Sequence, residues 1–296
     1  MRRPHLLFFT AVLIAALVTL TTPAAAKDPF VYVALGDSYT SGPLVLPHDT
    51  SHVPQGCGQS QRNYPHLAAL LLKVDELRDV SCGSAEIDEF YAPQEVPGPG
   101  TNRPQFKALG PDVDVVTVGI GGNDVGFVGA ATDCIRLTPK VVPHARPSCS
   151  DRFTRNGGDD ISRRITETLP KLGRALDDIH RLAPNAAVLV VSYPTALPDN
   201  RMSCYPYLPI RRDDMAYLVK KFKEMNRMLK TAAAQHNATY VDIYTPSIGH
   251  DACKPPALAW INGAVLVPPS YPAHPNDLSY LHSAPVVAKA IASRLG

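Results

Sequence analysis

Residues 30–39 read Phe30-Val31-Tyr32-Val33-Ala34-Leu35-Gly36-Asp37-Ser38-Tyr39, an unbroken apolar run that stops at turn chemistry. The run is too short for a typical helix and lacks the polar alternation of a strand with one wet face. It fits a strand covered on both faces, as in a parallel sheet. Residues 77–81, 113–119, 186–191 and 239–243 read the same way, which gives about five strands. Helical patterns fall between them. In residues 213–234, Met215, Leu218, Val219, Phe222, Met225, Met228 and Leu229 recur every three or four positions. That spacing makes them the core side of an amphipathic helix and not a ligand-binding methionine face. Further helices are expected over 160–182, with a kink at Pro170, over 64–74 and over 283–295. Strands alternating with helices predict a layered α/β/α domain with right-handed crossovers. The intervening loops, 43–61, 87–111, 128–158, 195–211 and 245–273, are long enough to act as walls or lids.

The N-terminus reads differently from the rest. Arg2 and Arg3 precede an apolar run over residues 6–20 and then Ala24-Ala25-Ala26. A basic end, a short apolar stretch and a small-residue site predict a secretory signal peptide cleaved near Ala26. The run falls short of the ~20 residues that cross a bilayer, so no stable membrane insertion is expected. Residues 27–296 then form a single secreted domain, expected as a monomer. Residues 1–26 hold two of the chain's 29 basic residues and none of its 27 acidic ones, so the remainder balances at 27 of each. Such a chain has no basic footprint for nucleic acid.

All six cysteines, Cys57, Cys82, Cys134, Cys149, Cys204 and Cys253, lie in the exported part. An even count in an oxidising compartment favours three disulfides. Sequence alone does not choose the pairing. Joining neighbours (57–82, 134–149, 204–253) would tie down one loop-rich stretch per bridge. A closed loop of about 15 residues, as in the second pair, gives about 3 kcal/mol by loop entropy. No Cys-x-x-Cys suggests a metal site, and neither metal nor cofactor is expected.

Open parallel sheets bind ligands beyond the carboxyl ends of their strands. Three tripeptides fall at or near such ends: Gly36-Asp37-Ser38 after the first strand, Gly122-Asn123-Asp124 after the third, and His274-Pro275-Asn276 before the last helix. Each alone is ordinary turn or helix-start chemistry. Together, in chain order, they arise by chance on the order of once in a thousand chains or less. With Gly36-Asp37-Ser38-Tyr39, Gly121-Gly122-Asn123-Asp124 and His274-Pro275-Asn276, the chain resembles the SGNH (GDSL) hydrolases over nearly its whole length after the leader. Within them it resembles the secreted actinobacterial esterases and lipases. The resemblance implies a flavodoxin-like three-layer α/β/α sandwich around a central parallel sheet. The other large serine esterase fold would show G-x-S-x-G, which is absent here.

The resemblance also implies roles. Ser38 is the expected nucleophile on a carboxylic ester, and His274 the base that takes its proton and returns it to the leaving alcohol. The Ser38 N–H, the Asn123 amide and a backbone N–H from Gly83 or Ser84 form the expected oxyanion hole. Family members commonly carry Asp three residues before the histidine, where this chain has Tyr271. The expectation is therefore a Ser-His dyad whose imidazole is oriented by the Tyr271 carbonyl. His250 and His282 are rival bases, and Asp251 is the nearest acid that could replace the missing one. The substrate is expected to be a small-molecule or lipid ester. A phospholipase, a polysaccharide acetylesterase and a secreted binding protein without catalysis are the alternatives.

Overall fold

The computed structural model describes residues 28–137, 148–205, 207–264 and 270–295. The leader expected over 1–26 lies outside them, as do parts of the long loops 128–158, 195–211 and 245–273. The chain runs β1 (Val31–Gly36), α1 (Ser38–Ser41), α2 (Tyr64–Leu72), β2 (Glu76–Asp79), β3 (Gln94–Glu95), β4 (Thr101–Asn102), β5 (Val115–Gly119), α3 (Gly122–Val125), α4 (Phe127–Leu137), α5 (Cys149–Phe153), α6 (Asp160–Leu182), β6 (Ala187–Val191), α7 (Arg212–Gln235), β7 (Thr239–Val241) and α8 (Asp277–Leu295).

Five strands form one parallel sheet in the order β2-β1-β5-β6-β7. Both faces are covered, which is why β1 is apolar throughout. Val31, Val33 and Leu35 pack with Leu172, Leu176, Leu218 and Phe222 of α6 and α7. Tyr32 and Ala34 pack with Ala68 of α2 and with Ala284, Val287 and Ile291 of α8. The period of two sends alternate residues to opposite apolar layers. Every apolar residue named above on the α7 stripe is buried, and each such side chain contributes roughly 1.5–3 kcal/mol. This is the three-layer sandwich that the sequence predicts. Strand order reverses between β1 and β5, so the crevice at their carboxyl ends is the natural ligand site.

Three stretches differ from expectation. The last helix begins at Asp277 and not at residue 283, because the Asn276 side chain accepts from the N–H groups of Leu278 (3.1 Å) and Ser279 (3.3 Å) and caps it there. The stretch read as loop 128–158 contains most of α4 and all of α5, and 87–111 contains the small antiparallel pair β3–β4. The structure joins Cys57 to Cys82, Cys134 to Cys149 and Cys204 to Cys253.

The 43–61 loop is fastened to the sheet by a partly buried charge cluster. His66, in the first turn of α2, bonds Asn63 Oδ1 through Nδ1 and Asp49 Oδ2 through Nε2, each at 2.8 Å. Asn63 Nδ2 donates to Asp79 Oδ2 at 2.7 Å, which fixes Oδ1 as the acceptor facing the ring. Both ring partners only accept, so the cluster is complete when His66 is doubly protonated. Burial alone would lower the His66 pKa, but hydrogen bonds and charge from Asp79 and Asp49 raise it above 6.5. A raised folded-state value gives stability that is complete below about 6.5 and lost as pH climbs through the higher folded value. His66→Gln is therefore expected to lower Tm more at pH 5.5 than at pH 9. Equal losses by calorimetry at the two pH values would contradict the charged cluster.

Candidate active site

Ser38 is the first residue of α1, held by a sharp strand-to-helix turn. Asp37 caps that helix, its Oδ1 accepting from the Tyr39 N–H at 2.9 Å. The turn fits only because Gly36 and Gly119 stand opposite each other in the β1–β5 ladder. A Cβ at either position would overlap Thr40 Oγ1. The Thr40 hydroxyl instead reaches the Gly119 carbonyl at 3.2 Å, drawing α1 over the end of β5. The Gln105 side chain bonds both the N–H and the carbonyl of Gly36, at 2.8 and 3.0 Å. It supplies the Gly36 N–H with an acceptor beyond the end of β2 and shares the Gly36 carbonyl with the Cys82 N–H, which reaches it at 3.0 Å.

The second turn leaves β5. Gly121 has φ +110°, a conformation that L side chains rarely adopt. A Cβ on Gly122 would lie 3.0 Å from the Tyr193 hydroxyl, which needs that close approach. Asn123 follows, its Nδ2 donating to the Ala85 carbonyl at 2.9 Å. An amide nitrogen carries two protons, so one remains for a second acceptor. Asp124 accepts from the Ile87 N–H at 3.2 Å. Burial, with the Glu86 charge, pushes its carboxyl up to about 6. Residues 123 and 124 thus clamp the 83–87 segment. Within that segment the Gly83 N–H donates to the Cys57 carbonyl at 2.9 Å. Of the two residues considered for a second oxyanion donor, Gly83 is engaged within the fold, and Ser84 follows it in left-handed conformation at φ +65°.

The third element is the segment before α8. A β-bridge pairs Ile261 with Pro275, and the Asn262 N–H donates to the His274 carbonyl at 3.0 Å. Ala273 turns the chain with φ +59°, and its carbonyl accepts from the Tyr39 hydroxyl at 2.6 Å. His274 is buried, with Nε2 2.8 Å from Ser38 Oγ and Nδ1 2.8 Å from the Pro272 carbonyl. The carbonyl that Nδ1 bonds is therefore that of Pro272 and not, as expected, that of Tyr271. The Tyr271 carbonyl is taken by the turn itself, accepting from the His274 N–H at 3.2 Å and from the Ser270 hydroxyl. A carbonyl only accepts, so Nδ1 bears the proton and Nε2 offers its lone pair to Ser38. Burial lowers the His274 pKa below 6.5, and the Pro272 hydrogen bond offsets only part of this. Among the described residues no carboxylate lies within ion-pair distance of the ring.

The residues matched by a known family model run from 34 to 281, and that model describes the GDSL-like lipase/acylhydrolase family. The chain belongs to this family. It is an ester hydrolase. It is 38% identical to lipase 2 of Streptomyces coelicolor over 86% of this chain and 84% of that protein. It is 31% identical to an esterase of Streptomyces scabiei, over 78% and 74% respectively. The fold superposes on an extracellular lipase of Streptomyces rimosus with a TM-score of 0.70, at 26% identity, covering 88% of this chain and 99% of that one.

The other residues weighed from sequence sit elsewhere in this GDSL-family fold. His250 and His282 stack on Trp260, with ring centroids 4.3 and 4.6 Å away, and His250 Nδ1 bonds the Leu258 carbonyl. Asp251 is buried, and its Oδ1 accepts from the Cys253 N–H at 2.9 Å. Among the described residues no cluster of three His, Cys, Asp or Glu side chains could hold a metal. Sequence reading missed Tyr193, although Ser192-Tyr193-Pro194 stands at the carboxyl end of β6, where the sheet rule points. It also missed that Phe222 and Met225 do more than fill the core. With Phe127, Val128 and Tyr193 they wall a cleft beside Ser38 and Asn123, with a free volume of about 10 Å³. That is room for about one water. A larger surface cleft of about 320 Å³, between Tyr91, Lys171, Arg174 and Asp178, is lined by no serine, cysteine or histidine.

Proposed function

We propose that this protein cleaves carboxylic esters through an acyl-enzyme on Ser38, with His274 as general base and acid. The observation that carries the reading is the single line from the Pro272 carbonyl through the imidazole to Ser38 Oγ, with both bonds at 2.8 Å. His274 takes the Ser38 proton as Oγ adds to the ester carbonyl carbon, then protonates the departing alcohol oxygen as the C–O bond breaks. Water repeats the sequence on the acyl-enzyme. The Ser38 N–H, the free proton of Asn123 Nδ2 and the Ser84 N–H receive the oxyanion, each such donor being worth about a hundredfold or more. Ser84 is favoured over Gly83 because the Gly83 N–H already has the Cys57 carbonyl.

The acyl chain enters between Phe127, Phe222 and Met225, apolar walls of the cleft that Ser38 also lines. The cleft is nearly filled, so short acyl groups enter with least rearrangement. Export agrees with three disulfides and with the leader pattern of residues 1–26. The test combines substrate and site. p-Nitrophenyl butyrate is expected to turn over faster than the palmitate, and a p-nitrophenyl phosphonate is expected to inactivate the enzyme with a single adduct on Ser38 by mass spectrometry. An adduct on another serine, or none with full inhibition, would overturn the assignment.

A further inference from the structure

We propose that Tyr193 is a positioning residue for ester hydrolysis, its hydroxyl joining the turn that carries Ser38 to the turn that carries Asn123. The inference rests on the roles given to those two residues above. Tyr193 is buried just past the end of β6. Its hydroxyl donates to Asp37 Oδ2 and accepts from the Gly122 N–H at 2.7 Å. The Gly122 N–H can only donate, and when Asp37 is ionised its carboxylate can only accept, so in that state both directions are set. Each bond ends one residue from a reacting group: Asp37 precedes Ser38, and Gly122 precedes Asn123. One phenol oxygen thus sets the spacing between nucleophile and oxyanion donor.

The phenol is itself held firmly. The Asn226 side chain of α7 brackets its backbone, with Oδ1 accepting from the Tyr193 N–H at 2.9 Å and Nδ2 donating to the Tyr193 carbonyl at 3.2 Å. The Tyr39 ring meets it edge-on, with centroids 5.1 Å apart. Packing alone asks for no hydroxyl here, because phenylalanine would fill nearly the same space. What the hydroxyl adds is a donor to a buried carboxyl and an acceptor for a helix-start N–H.

The titratable groups around Asp37 are Asp124 from α3, Tyr39 from α1, Tyr64 from α2, Tyr280 from α8 and Tyr193 itself, with the His274 ring against that of Tyr39. No cation is among them. Burial pushes Asp37 up to about 7, against the lowering effect of the Tyr193 hydroxyl and then of the Tyr39 N–H. Removing the hydroxyl raises it further and leaves less carboxylate at neutral pH to cap α1.

Tyr193→Phe is expected to lower kcat by about tenfold to a hundredfold, the scale of small misplacements at a reacting centre. KM should stay within about threefold, because the substrate-binding walls remain. The wild-type acid limb should hold two ionisations, His274 below 6.5 and Asp37 near 7. Only the upper one should move, by about one pH unit upward. Asp37→Asn should remove that upper step, and Tyr193→Phe should then add little further loss in the double variant. A lowered Tm with unchanged kcat and an unmoved limb would mean a structural role only and would overturn the proposal. Carboxyl carbon NMR of Asp37 in wild type and Tyr193→Phe reads the same network without activity. A pKa that does not rise overturns the proposal even if Ser38 proves to be the nucleophile. Should Ser38 instead prove dispensable, the roles assigned under ester hydrolysis fail while the NMR shift still stands.

Discussion

Replacing Ser38 by alanine is expected to lower kcat/KM for a short-chain ester by about ten-thousandfold or more, the scale seen when a serine nucleophile is removed. In the proposed mechanism Ser38 Oγ adds to the carbonyl, and among the described residues lining the cleft no other serine, cysteine or threonine stands beside it. Tyr193 and Tyr39 hydroxyls are committed to Asp37 and to the Ala273 carbonyl. The fold should survive, because the serine contributes one side-chain hydrogen bond, worth about 1 kcal/mol. Its place at the start of α1 is fixed by the Asp37 cap and the glycines beneath. Residual catalysis above water should remain, since the proposed oxyanion donors are left in place. A purified, folded Ser38→Ala protein within about tenfold of wild type would remove the acyl-enzyme from the mechanism.

The parts of this structure that sequence made legible are those set by repeating patterns. β1 could be read because both of its faces meet apolar layers, so six residues in a row had to be apolar. α7 could be read because its stripe recurs at the helical period, and every member is buried. The start of α8 was obscured by a local imitation. Ser283 followed two residues later by Pro285 resembles a helix entrance. The true entrance lies at Asn276, whose side chain caps two N–H groups, with the acidic Asp277 directly after it.

The candidate site could be proposed from sequence where it rests on a particular side chain and not where it rests on backbone. Ser38, Asn123 and His274 stand in short motifs at the carboxyl ends of elements, and topology brings them to one crevice. The carbonyl that receives Nδ1 carries no side-chain signature. Counting back three residues from His274 leads to Tyr271, but the left-handed turn at Ala273 swings the Pro272 carbonyl under the ring instead. A one-residue difference of this kind depends on φ and ψ, which the composition of Ser270-Tyr271-Pro272-Ala273 does not determine. Likewise, nothing in the sequence of 83–85 shows that Cys57 occupies the Gly83 N–H, because that contact comes from a residue 26 positions away.

His274→Ala is expected to cost about as much as Ser38→Ala, and the double variant little more than either, because the proposed mechanism uses the two residues as one unit. The imidazole must be neutral to take the Ser38 proton. Burial holds its pKa below 6.5, and among the described residues no carboxylate lies within ion-pair distance of it, so its step in the pH profile should lie below that value. Measuring the profile in Asp37→Asn isolates this step from the one near 7. A triad with an ionised acid behaves differently: the acid stabilises imidazolium, and neutralising it costs about ten-thousandfold. Asp251→Asn is accordingly expected to leave turnover within about twofold, since Asp251 bonds the Cys253 N–H and not the imidazole. Tyr271→Ala should likewise stay within about threefold, because its side chain is half exposed and the orienting carbonyl belongs to Pro272. A ten-thousandfold fall in Asp251→Asn, or a His274 step well above 6.5, would mean that a carboxylate and not the main chain orients the base.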